Sequence, residues 1–385
     1  MQIRSPFPRP PLPANLLAPE AQAATGPAAR CATGPAACRA TARDDLAACR
    51  AALCNGSKTF LAASLLLPRG VHEPASALYA FCRLADDAVD GPEGRLGAVA
   101  ALRERLTQAY AGTPQPHAAD RALAVVVARH GIPRALFDAL LEGFEWDVHG
   151  HRYDTIEALH DYAARVAGTV GAMMALLMDV RSAEGLARAC DLGVAMQLSN
   201  IARDVGEDAS MGRLYLPRNW MVEAGLDPEA WLAQPVFSPA LGAVVRRLLD
   251  AADVLYRRVD AGVARLPLAC RPGINAARFL YAAIGHEVAR RGLDSVSARA
   301  RVPGARKAWL LLRSVAQLAP TAAGPLPPLA ATRFLVDAAL AASPRERVPA
   351  RRSVAERVVW TAELFARLEQ HDQLRASRRS GDLAA

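Results

Sequence analysis

The chain has 385 residues, 52% of them apolar, and a formal net charge of +8, enough to bury one large core or two ordinary ones. The positive charge is carried almost wholly by arginine, with lysine only at Lys58 and Lys307, and aromatics are 5% of the chain, so the basic and aromatic interleaving of a nucleic-acid binder is missing and no nucleic-acid partner is expected. Seven cysteines, an odd number without a CxxC pair, argue against a disulfide framework or zinc site and for a reducing, cytoplasmic compartment.

Residues 1–43 are rich in alanine and proline and contain the near-duplicate ATGPAARC and ATGPAACR. They offer little to bury, so a disordered extension is expected, with a transit peptide as the second reading. From Asp44 onward apolar residues recur at three- and four-residue spacing, interrupted by LPRG at Leu67–Gly70, GTP at Gly112–Pro114, GIP at Gly131–Pro133 and GLDP at Gly225–Pro228. That pattern predicts an all-α, single-domain helical bundle over 44–376, with a flexible tail over 377–385. The longest charge-free apolar run near the middle, Val166–Met178, falls short of the roughly 20 residues a membrane-spanning helix needs.

Near the start of the bundle, Ser57 precedes a helical segment and reads as an N-cap. The next feature is YAFCRLADDAVD, Tyr79–Asp90. On a helix, Tyr79, Cys82, Arg83 and Asp90 fall within roughly 60° of Asp86, and Asp87 lies about 100° round. One reading is a solvated face with an Arg83–Asp87 pair at i, i+4. The other is a hard-cation site, where a divalent metal cancels the repulsion between carboxylates one turn apart and Arg83 complements a diphosphate. The motif alone does not decide between them.

Further on, the Val166–Met178 run within YAARVAGTVGAMMALLM (Tyr162–Met178) predicts a buried helix packed closely through Ala167, Gly168 and Gly171. Gln197–Pro217, QLSNIARDVGEDASMGRLYLP, then places Asn200, Asp204 and Asp208 in one stripe, with Gln197 on the same side. Arg203 and Glu207 are four apart and read as an ion pair. Repeated oxygen donors after an apolar lead-in suggest the second half of a metal site, and Arg213 and Tyr215 stand where they can close over a phosphate. Two such helices facing each other would clamp a metal–diphosphate, and an apolar pocket between them would hold the carbocation left behind. Near the end, Ser353–Arg375 reads as a terminal helix docked on the bundle or as a basic amphipathic helix on an anionic membrane.

With DxxxD at Asp86–Asp90, NIARDVGED followed by GRLYLP, and the small-residue helix in this order, the chain resembles the squalene/phytoene synthase family from about Asn55 to Arg313. The resemblance implies the all-α isoprenoid synthase fold with a central active-site cavity. It implies head-to-head condensation of two geranylgeranyl diphosphates through prephytoene diphosphate to phytoene, with Mg²⁺ (Mn²⁺ as the substitute ion) and without NADPH. It assigns metal binding to Asp86, Asp87, Asp90, Asn200, Asp204 and Asp208, and chemistry to Arg83, Asp86, Asp90, Tyr162, Arg203 and Asp204. Substrate contacts fall to Ser57, Lys58, Phe60, Tyr79, Arg83, Val166, Gln197, Asn200, Arg203, Arg213, Tyr215 and Arg301. Ser64, one turn beyond Phe60, is small where a bulky residue would shorten a tunnel. The alternatives are a dehydrosqualene or squalene synthase using farnesyl diphosphate, and a non-catalytic helical scaffold of the same fold. The partners implied are an isoprenoid diphosphate and a peripheral contact with the inner face of the membrane for product release.

Overall fold

The computed structural model describes residues 35–90, 95–317 and 326–341, all within a unit that ends at Arg345. Every regular element among them is helical. The first helices are α1 (Pro35–Gly56), α2 (Lys58–Ser64), α3 (Arg69–Asp90), α4 (Arg95–Ala111), α5 (Ala118–His130) and α6 (Arg134–Val148). Then come α7 (Ile156–Ala163), a π turn (Ala164–Gly168), α8 (Thr169–Leu177), α9 (Ala183–Ser210), α10 (Arg218–Glu223), α11 (Pro228–Ala233) and α12 (Pro239–Val263). Three more, α13 (Arg271–Arg290), α14 (Gly304–Ala316) and α15 (Arg333–Ala341), complete the set. No described helix is long and apolar enough to cross a membrane. The tail and the Ser353–Arg375 segment lie outside the described residues.

The helix boundaries follow the expected chemistry. Thr155, Ser182 and Ser238 each accept from the backbone N–H three residues on, and Asp227 accepts from Glu229 and Ala230, satisfying donors that a helix start leaves open. Gly131 closes α5 at φ 61°, a left-handed value that costs a glycine nothing. One boundary is corrected: the first helix begins at Pro35, ahead of the expected boundary at residue 43. What holds it lies further along it, where buried Asp45 receives a two-pronged bond from Arg121 of α5, at 3.0 and 2.6 Å.

The centre of the bundle is the crossing of α8 and α9, and α9 also packs along α12. The approach is backbone on backbone: a Cβ on Gly171 would strike the carbonyl of Ala189, and one on Gly193 would strike that of Ala167. The expected packing through Ala167, Gly168 and Gly171 is therefore present. The helix expected over Val166–Met178 is present, running from the π turn directly into α8; the π turn admits one extra residue into the helix. Ser64 is buried, with its hydroxyl donating to the Leu61 carbonyl.

Candidate active site

Helix α3 carries the first acidic motif. Arg83 grips Asp87 with two nitrogens, Nε to Oδ2 at 3.0 Å and an Nη to Oδ1 at 2.7 Å. The i, i+4 pair expected from sequence is thus formed, and Asp87 is engaged with arginine in this state. Asp86 and Asp90 lie on the last turns of α3, but their side chains, like that of Lys58, lie outside the described residues.

Two contacts of the entry segment tie the acidic helices together. Ser57 caps α2 by accepting from the Phe60 N–H at 3.2 Å, and its side chain also lies beside Tyr281 of α13. Tyr281 in turn lies in the field of the Arg203 guanidinium on α9. Phe60 stacks on Tyr79 of α3 with centroids 5.6 Å apart and planes 20° apart. A Cβ on Gly56 would collide with the Tyr79 hydroxyl, so glycine there lets that ring lie close. Among the described residues α3 and α9 share no extended contact, and both lean on α8.

The second acidic helix is bent at its central carboxylate, where Asp204 leaves helical geometry at φ −106° and ψ 15°. The Gly206 N–H bonds to the Ser295 carbonyl at 3.0 Å, so the loop before α14 is stitched to the bend. That loop delivers Arg299, which reaches Asp204 at 2.7 Å and Glu207 at 3.1 Å. Arg203 grips the same Asp204 with bonds of 2.7 and 2.5 Å. The Arg203–Glu207 pair expected from i, i+4 spacing is corrected: the bend turns Arg203 to its sequence neighbour and leaves Glu207 to Arg299. Arg301 is exposed, and Arg299 is the loop arginine that meets the acidic helix.

Asn200 and Gln197 are half-buried on the same helix. Burial first, and the Asp204 carboxylate second, push the Asp208 carboxyl well above its usual range, with Arg213 opposing the shift. Asp208, Arg213 and Tyr215 line one small cavity with Ile201, Val205, Leu214 and Leu216. Tyr162 and Tyr215 stack at 5.1 Å between centroids, and both donate to Asp147 of α6, at 2.9 and 2.7 Å. Desolvation, followed by the Asp147 charge, drives both phenols upward, so both stay protonated across the physiological range. Val166 lies in the π turn against Gly143 of α6.

Asp147, Tyr281 and Arg299 were not singled out from the sequence. Asp147 had the faint signal of an acid on the same helix as an apolar run, in EWDVHGHRY; the other two had none, because their meaning depends on which distant helix they meet. Among the described residues no three acidic, histidine or cysteine side chains converge on one point to hold a metal. The donor set of α9 nonetheless fits a hard cation: it is all oxygen, one donor per turn, with the Asp208 carboxyl pushed toward its neutral form by desolvation and by the Asp204 charge. Arginines supply the positive charge at Asp204 in this state.

Residues 53–306 match the family model for squalene/phytoene synthase. A phytoene synthase of Cereibacter sphaeroides is 50% identical over 88% of this chain and 98% of its own length. One from Rhodobacter capsulatus is 51% identical over 74% of this chain and 86% of its own. A crystal structure of a dehydrosqualene synthase with ligand, 31% identical, superposes with a TM-score of 0.66 over 72% of this chain and 97% of that one.

Proposed function

Because the chain belongs to the squalene/phytoene synthase family, as a prenyltransferase that forms carbon–carbon bonds, we propose that it condenses two geranylgeranyl diphosphates into 15-cis-phytoene in carotenoid biosynthesis. The observation that carries the site's chemistry is the oxygen ladder Asn200–Asp204–Asp208 set among Arg203, Arg213 and Arg299. Such a ladder holds divalent cations, and such arginines hold the oxygens of a diphosphate. The names of the relatives with about half their residues identical favour the C20 substrate over the C15 substrate of the dehydrosqualene synthase neighbour.

In this reading Asp86, Asp90, Asn200, Asp204 and Asp208 hold Mg²⁺, or Mn²⁺ in its place, which when bound shields the diphosphate charge and stabilises its departure. Asp87 joins that set only by leaving Arg83. Arg83, Arg203, Arg213 and Arg299 bind the diphosphate oxygens, and Arg203 and Arg299 exchange the Asp204 carboxylate for phosphate. Ser57, Lys58, Gln197 and Arg301 complete the polar contacts. The first substrate loses diphosphate, and the allylic cation is attacked by the double bond of the second. Proton loss closes the cyclopropane of prephytoene diphosphate. A second ionisation, rearrangement and proton loss yield phytoene and a second diphosphate. Nothing is reduced, so no NADPH is consumed. The stacked Tyr79 and Phe60 offer ring faces to the cation, and the protonated Tyr162 and Tyr215 bring hydroxyl dipoles without a negative charge.

The test is incubation of the purified chain with Mg²⁺ and labelled geranylgeranyl or farnesyl diphosphate, without NADPH. Phytoene from the C20 substrate is expected, and turnover of farnesyl diphosphate alone would overturn the product assignment. Asp86→Ala and Asp204→Ala should each fold and lose activity. Activity retained by both in excess Mg²⁺ would refute the metal assignment.

A further inference from the structure

Helix α14 has two faces. Leu310, Leu311 and Ser314 are buried against the bundle, and the Ser314 hydroxyl donates to the Leu311 carbonyl. The opposite face carries Ala305, Ala308, Trp309, Leu312 and Ala316, all exposed. Trp309 and Leu312 are 56% and 60% exposed, where a helix without a partner would carry polar residues. No acid occurs in the helix, while Arg306, Lys307 and Arg313 do. Arg306 and Arg313 fall along one flank of the apolar stripe, and Arg313 holds its guanidinium over the Phe279 and Trp309 rings, at 4.7 and 5.6 Å from their centroids.

We propose that this outer face of α14 docks on the surface of an anionic lipid bilayer, with Trp309 and Leu312 in the headgroup boundary and Arg306 and Arg313 on the phosphates. An apolar stripe with tryptophan at its centre and cations along its edge matches the order of a bilayer surface, acyl chain beside anionic headgroup. A second copy of the chain fits less well, since a twofold axis through this face brings the same cations together with no acid on the helix to pair them. The helix is too short to span and would lie in the plane. Its position also bears on the reaction, and this part rests on the function proposed above. Gly304 opens α14 just beyond the loop whose Arg299 reaches Asp204, so docking would set that side of the site near the membrane, where a C40 hydrocarbon can be delivered without crossing water.

The full chain should sediment with vesicles containing about one third phosphatidylglycerol and weakly with pure phosphatidylcholine. Trp309→Ser/Leu312→Ser, with its far-ultraviolet dichroism unchanged, should lose about tenfold in vesicle affinity. Arg306→Gln should lose about fivefold, on the anionic vesicles only. Brominated lipids should quench the parent's fluorescence but spare Trp309→Phe, a substitution that keeps the face apolar and avoids any folding defect of the double serine variant. Undiminished vesicle binding by the double variant, equal quenching of Trp309→Phe, or no binding by the parent would overturn the proposal. So would a dimeric mass in light scattering that falls to monomer in the double variant, which would give the face to a second copy. The binding assay contains no substrate, so a chain that docks but makes no phytoene would refute the reaction and leave the surface standing.

Discussion

Replacing Asp147 by asparagine removes one charge and almost no volume, and it tests whether the tyrosine pair is held by that carboxylate. Tyr162 and Tyr215 are 3% and 8% exposed, and each donates to a different oxygen of Asp147, at 2.9 and 2.7 Å. An amide offers one acceptor oxygen and an NH₂ that cannot accept. One phenol must therefore lose its acceptor or turn to the other hydroxyl, already 3.4 Å away. A hydrogen bond to a charged group is worth about 1.5–3 kcal/mol, and a buried donor left open costs about 1–3 kcal/mol. Relief of the repulsion between Asp147 and Asp208 offsets part of the loss. The expected net destabilisation is about 2 kcal/mol, or a fall in Tm of about 3 °C for a domain of this size. Thermal and urea unfolding of Asp147→Asn, Tyr162→Phe and the double variant would measure it, with a coupling of at least about 1 kcal/mol expected between the two sites. A single variant within about 0.5 kcal/mol of the parent, or strictly additive losses, would refute the reasoning.

Two more outcomes can be checked. Burial and Asp204 raise the folded-state pKa of Asp208 above its unfolded value, so the folded protein holds a proton that the unfolded chain releases. Stability without metal should therefore be fullest below the unfolded carboxylate range and fall as pH rises through it toward the folded pKa. Asp208→Asn should flatten that slope, and Mg²⁺ should offset the fall in the parent only; Tm profiles between about pH 4 and 8 with the same slope in both proteins would exclude this. Where the π turn crosses α9, Gly193→Ala sets a Cβ against the Ala167 carbonyl and should cost about 1–3 kcal/mol in urea unfolding; an unchanged midpoint would show that the two segments can part.

Much of this architecture is written in short-range chemistry. Helix periodicity and the glycine and proline turns depend on neighbours a few residues away, and each is readable in the sequence; the close packing at Gly171 meets a different helix at Ala189, and its small residues alone announced it. The Arg83–Asp87 pair is equally local. The Arg203–Glu207 expectation failed for a physical reason: i, i+4 pairing presumes an unbroken helix, and α9 bends at Asp204. Tyr281 and Arg299 were illegible, and Asp147 nearly so, because each gains its role only when a separate segment is brought to it. The start of the first helix at Pro35 was missed because an alanine- and proline-rich stretch carries no apolar periodicity to mark a helix.

Surface loops commonly absorb insertions and deletions with little effect. The one between α13 and α14 is of another kind. Its Ser295 carbonyl takes the Gly206 N–H at the bend of α9, and Val296 sits so close to Gly206 that no side chain fits between them. Arg299 is thereby measured out from a fixed point on the backbone. Adding or removing a single residue between Val296 and Arg299 would shift which side chain meets Asp204, and with it the charge that greets an incoming diphosphate. The length of that loop thus matters to the site as much as the identity of a residue in it.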